Sequence, residues 1–84
     1  MQDPELRRRL EDLHRELATI DKVEPDLAPV LEELRADIEA VLERAEPRGL
    51  GELLEESLEH FEVSHPRLAG AIGAVIDQLA KIGI

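Results

Sequence analysis

Apolar residues recur along this chain at alternating steps of four and three, and that spacing constrains the fold more than any other feature. Leu6, Leu10, Leu13, Leu17 and Ile20 follow the pattern, and so do Leu27, Leu31, Leu34, Ile38 and Val41. It returns in Leu68, Ile72, Val75, Leu79 and Ile82. Steps averaging about 3.5 residues hold side chains on one side of a helix, whereas a half-buried strand alternates every second residue. Leu50, Leu53, Leu54, Leu58 and Phe61 draw a fourth, looser stripe. The spacing predicts an all-α chain of four short amphipathic helices, over roughly residues 4–20, 26–45, 50–63 and 66–82. Short connections pair them as two helical hairpins in a bundle that dimerisation can complete.

Local punctuation supports those limits. Asp3 is a good N-cap, Pro4 suits the first helical position, and Glu5 sits by the positive end of the dipole. Pro25 and Pro29 fit only a first turn, so the second helix starts between Glu24 and Pro29. Glu46-Pro47-Arg48-Gly49 reads as a linker, with Gly49 free to take angles that other residues avoid. Pro66 forces His65 out of the α region, which makes Ser64, His65 and Pro66 a helix break with Ser64 or His65 capping the fourth helix. Gly83 reads as a C-cap ahead of the apolar Ile84.

With 84 residues the chain has room for one core, so residues 1–84 are expected to form a single all-helical domain. There is no cysteine, which removes disulfides and thiolate zinc sites. A core this small stands near the limit of independent stability, so self-association as a homodimer or small homo-oligomer is the leading expectation. No basic-then-apolar leader opens the chain and no apolar run reaches about 18 residues, so a cytoplasmic protein without a membrane span is expected.

Charge narrows the partners. The formal net charge is -10, and residues 24–62, with Arg35, Arg44 and Arg48 as their only Lys or Arg residues, account for all of it. A phosphate backbone would be repelled by that middle, so no nucleic acid is expected. Glu52, Glu55, Glu56, Glu59 and Glu62 fall on one arc opposite the third apolar stripe, a face suited to a basic protein surface and only poorly offset by Arg48. Arg7, Arg8 and Arg9 fan around the first helix, with Arg8–Asp12 and Glu11–Arg15 as expected i,i+4 pairs.

No catalytic, cofactor or metal site is expected. Glu11-x-x-His14 has the spacing of di-iron bundles but occurs once, and His60, His65 and Glu56 make only a loose cluster. Of the two serines, Ser57 lies on the core side, where it can bond its own backbone. Paired surface carboxylates lack the pocket that shifts a pKa, and Gly70 and Gly73 follow no strand and form no phosphate loop. The expectation is therefore a non-enzymatic interaction protein. Its candidate self-association surface is Leu68, Gly70, Ile72, Gly73, Ala74, Val75 and Leu79, where small residues would admit a second helix. An acidic adaptor or inhibitor working through the third helix is the alternative.

Phe61-Glu62-x-Ser64-His65-Pro66, the ending Leu79-x-x-Ile82-Gly83-Ile84 and the earlier Leu13-His14-x-Glu16-Leu17 resemble a family of short bacterial proteins known as domain of unknown function 4404. Arg67 stands where Thr is frequent in that family, and Ile82 where Met is. The resemblance implies the helical fold and its boundaries; with no activity assigned to the family, it implies no functional residue.

Overall fold

A computed structural model describes residues 3–44 and 49–83. Its helices are α1 (Pro4–Ala18), α2 (Ala28–Arg44), α3 (Leu50–Phe61) and α4 (Pro66–Ile82), with no strand among the described residues. The expected linker from Glu46 to Arg48, the offset by Arg48 and the apolar end at Ile84 lie outside them.

The helix ends follow from local hydrogen bonding. Asp3 Oδ1 accepts from the N–H groups of Glu5 at 2.9 Å and Leu6 at 3.1 Å, which caps α1 as expected. α1 stops at Ala18 instead of near Ile20, because the Thr19 hydroxyl donates to the Glu16 carbonyl at 2.7 Å and competes for the helical ladder. Glu24 to Leu27 forms a turn closed by Leu27 N–H donating to Glu24 O at 2.8 Å, so α2 begins at Ala28, with Pro29 in its first turn. Gly49 starts α3 with φ +78° and Gly83 ends α4 with φ +82°, left-handed angles that other residues avoid. α3 ends at Phe61, short of the expected 63, and Pro66 holds His65 out of the α region at φ -137° and ψ 75°.

The four helices form a ring in which α1 packs on α2 and α4, and α3 packs on the same two; the α1–α4 contact is the most extensive. The two hairpins therefore close on each other. Leu6, Leu10, Leu13 and Leu17 meet Ile72, Val75, Leu79, Leu54, Phe61, Leu34 and Ile38 in one continuous core. Each fully buried Leu, Ile or Phe contributes about 1.5–3 kcal/mol over leaving it exposed. α2 buries Leu34, Ile38 and Val41, while its Val30, Leu31 and Leu42, and Leu27 just before it, are only partly covered. On α3 the core side carries Leu50, Leu54, Ser57 and Phe61, while Leu53 and Leu58 flank it.

Polar ties fasten α1 to α4. Gln78 Nε2 donates to Asp3 Oδ2 at 3.2 Å, and Arg9 Nη1 donates to the Ala74 carbonyl at 2.8 Å. Asp3 is held below the usual carboxylate range, chiefly by the Leu6 N–H and further by Gln78, Glu5 N–H and Arg9. The expected pairs Arg8–Asp12 and Glu11–Arg15 are replaced by Arg7–Glu11 and Arg15–Asp12, because several i,i+3 and i,i+4 partners compete on one exposed face.

Candidate functional site

The outer surface of α4 differs from the expectation. Leu68, Ile72, Val75 and Leu79 lie buried within the chain's own bundle, so four members of the expected self-association surface are not on a surface. The reason is the ring itself: α4 is flanked by α1 and α3, and its apolar stripe serves both. Gly70 remains exposed, and Gly73 and Ala74 half-buried. A methyl group added at Gly70 or Gly73 would meet nothing within 4 Å among the described residues, so no close approach between them requires either glycine.

The acidic face of α3 stands as the periodicity predicts. Glu52, Glu55, Glu56, Glu59 and Glu62 are all exposed, on the side away from Leu50, Leu54, Ser57 and Phe61. Among the described residues none of the five takes part in an ion pair, and Glu5, Glu11, Asp12 and Glu39 are the only carboxylates that do.

The histidines separate. His14 Nε2 lies 3.0 Å from Glu39 Oε2, which joins α1 to α2, and Arg35 Nε approaches the same oxygen at 3.4 Å. That places the Glu39 carboxyl below its ordinary range, first through His14 and then, against desolvation, through Arg35. Glu11 pairs with Arg7 instead, and His60 is exposed. The loose cluster of His60, His65 and Glu56 does not assemble: among the described residues no group of three or more metal-ligating side chains is placed to hold an ion.

His65 is turned inward across the break. Its Nε2 lies 3.2 Å from the Lys22 carbonyl, its Nδ1 lies 2.9 Å from Ser64 Oγ, and its ring meets Phe61 edge-on at 5.5 Å. A carbonyl oxygen only accepts, so Nε2 carries a proton, and in the uncharged form of the ring Nδ1 is then the acceptor for the Ser64 hydroxyl. His65 is the N-cap residue of α4, as expected, but it makes no side-chain bond to the helix's first N–H groups. The break borders a cleft of about 430 Å³ between the end of α1 and the start of α4. Thr19, Ile20, Lys22, Ser64, His65 and Arg67 are among the residues that line it.

Spacing alone did not disclose this cleft, since its two walls are more than forty positions apart. Arg9 and Gln78 were missed as well. Gln78 did leave a signal: one position before Leu79 and three after Val75, it falls on the edge of the buried stripe and is 7 % exposed.

No helix among the described residues is long and apolar enough to cross a membrane. The model of one protein family, described as a domain of unknown function (DUF4404), matches residues 6–84. No curated protein and no solved structure matches the chain.

Proposed function

We propose that this chain, which belongs to the DUF4404 domain family, works as a small helical interaction protein whose α3 face docks a basic surface on another protein. One observation carries the reading: five exposed carboxylates on a single helix face have no ion-pair partner among the described residues. Same-sign neighbours at i,i+4, such as Glu52/Glu56 and Glu55/Glu59, cost a few tenths of a kcal/mol each in the free protein. A basic partner relieves that repulsion, so binding should be fast, steered over long range and weakened by salt. Glu55→Lys with Glu59→Lys tests it by co-precipitation at low and at roughly 0.5 M salt, where exposed charges are largely screened. Loss of a captured protein in the variant, and its loss in high salt, is the expected result. A variant that keeps every captured protein removes the proposal.

A second reading, a homodimer formed through the outer side of α4, is favoured by Gly70 and Gly73. Each costs about 1 kcal/mol relative to Ala within a helix, and no close contact among the described residues requires either. Light scattering over a wide concentration range decides between a monomer and a dimer, and Gly73→Leu should abolish the dimer by filling the contact.

A further inference from the structure

We infer that Ser64 is an activated nucleophile, able to take an acyl group from a short carboxylic ester held in the cleft between α1 and α4. Three neighbouring arrangements, all separate from the acidic face of α3, point to it. Ser64 Oγ lies 2.9 Å from His65 Nδ1, within reach for direct proton transfer. The other imidazole nitrogen is anchored on the Lys22 carbonyl at 3.2 Å, which fixes the tautomer that leaves Nδ1 free to accept. The Phe61 ring, edge-on at 5.5 Å, adds a second constraint on the imidazole plane.

Nucleophile, base and orienting group thus form the sequence of contacts that nucleophilic catalysis uses, with a backbone carbonyl where a carboxylate commonly stands. Ser64, His65 and Lys22 all line a cleft of about 430 Å³, a size that admits a small ligand. Ile20, Pro66 and Leu68 give it an apolar part for an acyl chain. Arg67 and Leu68, on the same wall, belong to the first turn of α4, whose N–H groups lack intrahelical partners and receive no side-chain cap. Those donors suit the negative oxygen that develops on an attacked carbonyl.

The chemistry balances without an added oxidant or cofactor. Ser64 Oγ forms a bond to the acyl carbon while its proton passes to Nδ1 and the carbonyl electron pair moves to oxygen. The tetrahedral species collapses, the ester C–O bond breaks, and the leaving alcohol takes the proton back from Nδ1. Water repeats the cycle on the acyl-serine, releasing the carboxylic acid and restoring the hydroxyl. The Lys22 carbonyl holds the transient imidazolium by accepting from Nε2–H throughout.

The full chain is treated with a fluorophosphonate and, separately, with p-nitrophenyl butyrate, and the adduct is located by peptide mass mapping. The expected adduct sits on Ser64 and is abolished in Ser64→Ala. Without the base, His65→Gln should lower the labelling rate about 100-fold, the low end of what a positioned base contributes. Circular dichroism checks that His65→Gln is folded. A Ser64→Cys variant provides a second readout, since its thiol should alkylate at least about ten times faster than in Ser64→Cys with His65→Gln, through the thiolate that a neighbouring base favours. An adduct on Lys22 instead of Ser64, or labelling no faster than in urea-unfolded protein, overturns the inference. Equal thiol reactivity with and without His65 overturns it too.

Discussion

Replacing Ser57 by alanine removes the one side-chain oxygen that is fully buried and without a hydrogen-bond partner among the described residues. Ser57 is 0 % exposed on α3, on the side where Leu54 and Phe61 also pack. A buried hydroxyl left unpaired costs about 1–3 kcal/mol in proteins, and Ala exceeds Ser in helix propensity by roughly 0.5 kcal/mol. Against this, deleting one buried atom forfeits its packing contacts, on the order of 1 kcal/mol. The balance is a gain of about 0.5–2.5 kcal/mol for Ser57→Ala. Urea unfolding should show a higher midpoint at unchanged slope, because the surface exposed on unfolding hardly changes. Thermal unfolding should rise by about 4–8 °C for each kcal/mol in a domain of this size. A lower midpoint for Ser57→Ala would refute the reasoning, since it would mean the hydroxyl is bonded in solution, for instance to a carbonyl one turn back in α3.

Gly70→Ala and Gly73→Ala should each raise the stability of the monomer by about 1 kcal/mol in urea unfolding, because the added methyl meets nothing within 4 Å. Gly49→Ala should do the reverse, by on the order of 1 kcal/mol, because φ +78° is strained for any residue with a Cβ. Asp3 and Glu39 are both held below their ordinary pKa values of 3.8 and 4.5, so their contribution is present above those values and is lost as pH falls through the lowered ones. Urea midpoints measured from about pH 6 down to about pH 3 should therefore fall at the acid end, and fall less steeply in Asp3→Asn with Glu39→Gln.

Periodicity and punctuation by themselves determined the four helices, the N-cap at Asp3, the left-handed glycines at 49 and 83 and the break before Pro66. Each depends on residues within a turn or two of one another, so local sterics and hydrogen bonding suffice to specify it. The acidic face of α3 was legible for the same reason, because one helix with about 3.6 residues per turn places Glu52, Glu55, Glu56, Glu59 and Glu62 together without help from the rest of the fold.

Only the tertiary structure decided what those helices face. An apolar stripe says that a side will be covered and is silent on whether the cover is the same chain or another; the ring around α4 answers that for Leu68, Ile72, Val75 and Leu79. Arg9 reaching the Ala74 carbonyl and Gln78 reaching Asp3 join positions 65 and 75 residues apart. The bond from His65 to Lys22 spans 43 residues, and with it come the imidazole tautomer and the cleft that gives Ser64 its setting. Such contacts arise when packing brings two distant helix ends together, and the spacing of residues along either helix carries no trace of the other.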